Sequence, residues 1–91
     1  LTAEAWRLCI AASAERRLDR LRPKIATATV EFMLGPLINA PRRVGHPLQR
    51  ELAGLWSARR GPYRIVYELN EAGLVVDVIR IDHRSDVYRP R

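Results

Sequence analysis

A single cysteine, Cys9, in a chain of 91 residues excludes an internal disulfide. Histidine is nearly as scarce, and His46 and His83 do not join Cys9 in any closely spaced ligand set, so neither a structural zinc nor another metal or cofactor is expected. No apolar run approaches the roughly 20 residues that a membrane span needs, and Pro36 and Asn39 interrupt the longest candidate, around Phe32 to Ile38. The cytosol is the default compartment for such a chain, although its start at Leu1 rather than Met is compatible with a removed leader. No repeat, low-complexity stretch or linker divides it, so one domain over residues 1–91 is expected. A domain of this size buries only about 60 to 65% of the surface that its unfolded chain exposes, which predicts modest stability.

Lysine is almost absent as well. Lys and Arg number 16 against 10 Asp and Glu, a net charge of +6, and every cation except Lys24 is an arginine. Guanidinium is planar, permanently charged and able to grip phosphate oxygens with two parallel hydrogen bonds, so the bias favours phosphate as a partner. A GC-rich genome produces the same bias, and only the positions of the arginines can decide between the two.

Trp6, Leu8 and Ile10 alternate with Arg7 and Cys9, the pattern of a short half-buried strand. Ser13 is placed to cap a helix in which Ala14, Leu18 and Leu21 form the apolar stripe. Pro23 suits the first turn of a second helix, whose stripe Ile25, Ala28, Thr29, Phe32 and Met33 runs toward Gly35-Pro36. The two helices form an αα-hairpin. The segment Arg42 to Gly54 carries Arg42, Arg43, His46 and Arg50 among Pro and Gly, and reads as a basic loop with one helical turn. From Leu55 the period changes to two, giving strands Leu55 to Arg60, Tyr63 to Leu69 and Leu74 to Ile81. The expected fold is α+β: a small antiparallel four-stranded sheet with the αα-hairpin on one face.

Gly61-Pro62 fits a two-residue type II′ turn, which wants glycine first and tolerates proline second. It sets Arg60 opposite Tyr63, Arg59 opposite Arg64, Ala58 opposite Ile65 and Trp56 opposite Tyr67. The apolar members then share the helix-covered face, and Arg59 and Arg64 share the other. Two arginines directly opposed repel by tenths of a kcal/mol up to about 1, a penalty that a bound polyanion removes. A reversal over Asn70 to Gly73 would pair Leu69 with Leu74 and Tyr67 with Val76. Residues beyond Ile81 (Asp82, His83, Arg84, Ser85, Asp86, Val87, Tyr88, Arg89) then emerge beside Arg59, Arg60 and Arg64. Val66, Val75 and Ile79 fall on the arginine face, which a partner's helix or strand is expected to cover.

The order strand, two helices, basic loop, hairpin SARRGPYRIVYEL and terminal RIDHRSDVYR resembles the RelE/ParE toxin superfamily over essentially the whole chain, closer to the RelE branch and its actinobacterial members. The resemblance implies a type II toxin that cuts messenger RNA in the A site of the 30S ribosomal subunit without a metal. It also implies a cognate RelB-like antitoxin that wraps and neutralises the toxin, and higher-order toxin–antitoxin complexes on operator DNA. Residue by residue it maps the strand arginine to Arg64, the terminal tyrosine to Tyr88 and a tail arginine to Arg84. The lysines that RelE uses before the hairpin are replaced by Leu55 and Ser57, so Arg59, Arg60 or His46 must supply that charge.

Metal-free cleavage lets the 2′-hydroxyl attack its own phosphodiester, which needs a proton acceptor, a proton donor and positive charge around the dianionic transition state. The candidate catalytic residues are Arg59, Arg64 and Arg84 for charge, with His83 for acid–base work because an unperturbed imidazole titrates near pH ~6.5. Tyr88 is the second acid–base candidate, or a ring for base stacking. Arg42, Arg43, His46, Arg50, Arg60 and Arg89 are the candidate RNA contacts, with Glu68 a solvated rim residue and Asp82 and Asp86 orienting the arginines. The rival reading within the fold is a ParE-type inhibitor of DNA gyrase that acts by binding alone, since fold does not fix function. A simple single-strand binder would expose an aromatic stacking platform, which this pattern lacks.

Overall fold

The computed structural model describes residues 5–83. Strand β1 (Arg7–Ile10) leads into helices α1 (Ala12–Arg20) and α2 (Pro23–Phe32), then a π-helical turn (Met33–Leu37) and the short helix α3 (Pro41–Val44). Strands β2 (Gly45–Pro47), β3 (Leu55–Arg60), β4 (Tyr63–Asn70) and β5 (Val75–His83) follow, with a 3-10 turn (Arg50–Leu52) before β3. No helix among the described residues is long and apolar enough to cross a membrane.

Local chemistry explains most of these boundaries. Pro23 occupies the first turn of α2, where its missing N–H costs nothing. Ser13 does not cap α1. The cap position is Ala11, without a side-chain bond, and the Ser13 hydroxyl instead donates to the Ile79 carbonyl at 3.1 Å. The amide of Ala11 donates to the Val78 carbonyl at 2.8 Å, so β5 rather than a cap fixes the entry to the helix. Gly35-Pro36 does not stop the helical path. Pro36 has no N–H for the carbonyl one turn back, and the wider π turn absorbs that loss while burying Met33 and Leu37 completely.

The sheet has five strands, not four, in the order β1-β5-β4-β3-β2, and it is mixed because β1 runs parallel to β5. The segment expected as a basic loop supplies α3 and β2. With only three residues, two of them Gly45 and Pro47, β2 is too short to show a period. Trp6, Ala14, Met33 and Leu37 meet Ala58, Ile65, Tyr67, Val76, Val78 and Ile81 in a core between the helices and one face of the sheet.

The β3–β4 register is the one that the Gly61-Pro62 turn predicts, with Arg59 opposite Arg64 and Trp56 opposite Tyr67. Gly61 has φ +59, the left-handed region that the turn's first position requires. The β4–β5 register is not the predicted one. Asn70 pairs with Val75, so Leu69 meets Val76 and Tyr67 meets Val78. The Asn70 side chain accepts the Gly73 amide at 3.2 Å and Leu74 takes φ +53, which moves the reversal one residue along. This two-residue slip preserves the faces, but a β-bulge does not. Val66 pairs with Arg80, leaving Ile79 as an extra residue on β5. One extra residue inverts the alternation of everything after it. Ile81, which strict alternation from Val75 and Ile79 would put on the arginine face, is therefore in the core at 2% exposure.

At the centre of the core the Tyr67 hydroxyl donates to the Pro41 carbonyl at 2.6 Å. It reaches that carbonyl through the space above Gly45, where an added Cβ would lie 2.0 Å from the hydroxyl oxygen and 2.9 Å from the Ser57 carbonyl. Gly45→Ala is expected to lower stability by about 1–3 kcal/mol. In urea denaturation, the double variant Gly45→Ala/Tyr67→Phe should lose less than the sum of the two single variants. Burial pushes the Tyr67 phenol up from 10.0 to about 12. Between those pH values the folded state keeps a proton that the unfolded state releases, so stability falls as pH rises through that window. Unfolding followed from pH 9 to 12 should show a steeper decline for the wild type than for Tyr67→Phe.

Candidate functional site

The face of the sheet turned away from the helices is built in cross-strand rows. At the Gly61-Pro62 end, Arg59, Arg64 and Asp82 lie side by side on β3, β4 and β5. The next row is His46, Ser57, Val66 and Arg80, running from β2 to β5. Ser57 and Val66, each 2% exposed, form a floor beneath the longer side chains around them. Val66 is thus covered by its own neighbours, while Val75 and Ile79 on the same face are half-buried.

Charge on this face is uneven: its Gly61-Pro62 end is mostly positive, whereas the row beyond Val66 and Arg80 sets Glu68 opposite Asp77. Arg59 and Arg64 stand directly opposite each other with a single carboxylate, Asp82, in their row. The Nε of Arg64 is buried with no hydrogen-bond partner among the described residues. A buried donor left unpaired costs about 1–3 kcal/mol, which makes it a good reporter of a missing acceptor. Asp82 Oδ2 lies 2.8 Å from Nη2 of Arg80, an ion pair off the line of a hydrogen bond.

The structure separates residues that the sequence groups together. Arg59, Arg64 and His46 share the arginine face, whereas Arg60 pairs with Tyr63 and lines a cleft with Ala28, Glu31, Phe32 and Pro36 on the helix side. The bulge carries His83 to that same side. It pairs with Tyr63, the two rings meeting edge-on with centroids 5.1 Å apart, so the imidazole does not join Arg59 and Arg64 as expected. Arg42 and Arg43 lie near the opposite end of the sheet. Arg42 forms an ion pair with Glu71 in the β4–β5 turn and stacks over Trp6 at 5.4 Å, about 20 Å of strand away from Arg64. Arg43 lines the same cleft as Trp6 and Arg42, and Arg50 sits in the β2–β3 connection at that end. Arg84, Asp86, Tyr88 and Arg89 lie outside the described residues. Among the described residues no three His, Cys, Asp or Glu side chains gather as metal ligands would.

Arg80 is the site residue that period-two reading misses. Counting on from Val76 and Val78 assigns Arg80 to the core, and an arginine at a core position is itself the sign that the alternation breaks before it.

Two opposed guanidiniums, a third beside them and an imidazole on a dry floor form a surface that can take an anion with several oxygens. Comparison with known proteins gives this surface a context. The family model described as the ParE toxin of type II toxin–antitoxin systems matches residues 8–88. The chain belongs to this toxin family. Toxin RelG of Mycobacterium tuberculosis is 51% identical over 77 residues, covering 85% of this chain and 88% of RelG. Toxin RelE of the same organism is 50% identical over 84 residues, covering 92% of this chain and 87% of RelE. The toxin–antitoxin complex RelBE2 from Mycobacterium tuberculosis contains a chain that superposes with a TM-score of 0.86 at 44% identity, over 89% of this chain and 100% of that one. The isolated Escherichia coli RelE toxin superposes with a TM-score of 0.70 at 21% identity, over 92% of each chain, a likeness of fold alone. The ParE-family chain thus has the RelE-like α+β fold expected from its residues, with five strands.

Because Arg59 faces Arg64 and no carboxylate on its own row lies nearer than Asp82, Arg59→Gln is expected to raise stability by a few tenths to about 1 kcal/mol at low salt. The gain should shrink at high ionic strength, where exposed charges are screened. Urea denaturation at two salt concentrations measures it; a loss of stability would mean that Arg59 holds the fold rather than an anion.

Proposed function

We propose that this toxin is an endoribonuclease that cleaves messenger RNA in the ribosomal A site without a metal, held in check by a RelB-like antitoxin. The observation that carries the proposal is the buried, unpartnered Nε of Arg64, opposite Arg59 and in a row with a single carboxylate. Such an arrangement suits the scissile phosphate, whose charge grows as the 2′-hydroxyl attacks. Preorganised donors aimed at developing charge are the most effective single device for stabilising it. Arg59 and Arg64 hold the phosphate in this reading, with Arg84 completing the set. Acid–base work falls to Tyr88 and to His46, the imidazole on the arginine side of the sheet, since His83 meets Tyr63 edge-on on the helix side.

The antitoxin is expected to be acidic and to cover the arginine face, where half-buried Val75 and Ile79 add apolar contacts. The cytoplasm, where ribosomes and messages meet, is the corresponding compartment. A gyrase inhibitor acting by binding has no need for paired guanidiniums around an unsatisfied donor, which favours the ribonuclease.

Expression of the toxin followed by mapping of transcript ends tests the proposal. Codon-phased cuts that vanish when translation is blocked are expected; intact messages with damaged DNA would establish the gyrase inhibitor instead. Arg64→Ala should reduce cleavage on the order of 100-fold. Tyr88→Phe should also relieve growth arrest, and full toxicity in both variants contradicts the assignment.

A further inference from the structure

Asp82 occupies an unusual position among the cations. It stands directly across the sheet from Arg64, yet Nε of Arg64 stays without a hydrogen bond among the described residues. The carboxylate turns along its own strand, with Oδ2 2.8 Å from Nη2 of Arg80. Asp82 is the more withdrawn partner, its side chain 18% exposed against 52% for Arg80. To a guanidinium, a carboxylate and a phosphate present the same feature, a pair of oxygens at matching spacing. A largely buried carboxylate between two guanidiniums, engaging one and leaving the other unsatisfied, therefore has the form of an internal anion in a seat that fits phosphate.

We infer that Arg80 is a further phosphate-contacting residue of this site, and that Asp82 is the positioning residue that holds it until an RNA phosphate takes over the contact. The inference rests on the ribonuclease reading and deepens it by naming a second contact on β5. The bulge at Ile79 gives both residues their place: without it Arg80 would point into the core and Asp82 toward the helices. Ion pairing directs the Arg80 side chain along β5 toward Asp82, so less rotamer freedom remains to be lost when a phosphate binds. Asp82 itself stays in the strand beside any bound phosphate, so its charge limits how tightly RNA is held. An exposed ion pair with no such role would contribute almost nothing to binding or stability.

Binding of a single-stranded RNA oligonucleotide carrying 2′-O-methyl groups, which cannot attack its own phosphates, reads contact without cleavage. Arg80→Gln is expected to weaken binding roughly tenfold. Asp82→Asn is expected to tighten it roughly fivefold, a gain that shrinks in the double variant because Arg80 is no longer there to be released. Glu68→Gln removes a charge from the row beyond Arg80, where Glu68 is paired with Leu55 and Asp77, and controls for net charge. Arg80 is half exposed, so Arg80→Gln folds and carries the test whether or not Asp82→Asn is stable. Equal tightening by Asp82→Asn and Glu68→Gln, or unchanged affinity in Arg80→Gln while Arg64→Gln still weakens binding, would overturn the inference and leave the ribonuclease reading standing. Unchanged affinity in Arg64→Gln would overturn that reading and the inference with it.

Discussion

The organisation of this toxin depends on one unpaired residue. Strand β5 is straddled by two different demands, because its first half must present Val76 and Val78 to the helices while its second half must present Ile81. Those positions differ by an odd number, which strict alternation forbids. The bulge at Ile79 resolves the conflict, and it is anchored where it occurs: the Ile79 carbonyl accepts the Ser13 hydroxyl from α1, and the neighbouring Val78 carbonyl accepts the Ala11 amide. The same change of side that completes the core brings Arg80 and Asp82 beside Arg64. Core and candidate site are thus set by a single irregularity, as bulges near functional surfaces often do.

The residues made much of this legible, and unevenly so. The β3–β4 hairpin was readable to the exact pairing because a two-residue turn beginning with glycine admits one register, and its arginine pair followed directly. The β4–β5 hairpin was not, since its four-residue reversal ends in a left-handed Leu74, a conformation that propensity disfavours for leucine. The parallel pairing of β1 with β5 was beyond local pattern altogether, being a contact between strands with both helices between them in sequence. Placement of His83 failed with the bulge, while Arg42 lies near the opposite end of the sheet with Glu71 and Trp6 as partners. The membership of the toxin family, by contrast, was carried by the motifs at the hairpin and in the C-terminal tail.

The helix side of the sheet shows how a small core can be held without large area. Tyr67 is fully buried, stacks near Trp56 with ring centroids 6.5 Å apart, and ties its hydroxyl to the carbonyl that begins α3. That bond reaches from the central strand β4 to the element preceding the edge strand β2, so the position of His46 on the arginine face is fixed from the opposite side of the sheet. A polar group in the core serves here to align, its hydroxyl satisfied and its ring packed.

The parallel pairing of β1 and β5 also bears on how the molecule comes into being. Arg7 to Ile10 find their partners in Val75 to Val78, close to the end of the described chain. A nascent chain emerging from the ribosome therefore cannot seat β1 until β5 has been made, and sheet closure waits on a contact of very long sequence separation. Because Arg80 and Asp82 also come from β5, the arginine face is by this topology completed only once that strand is in place.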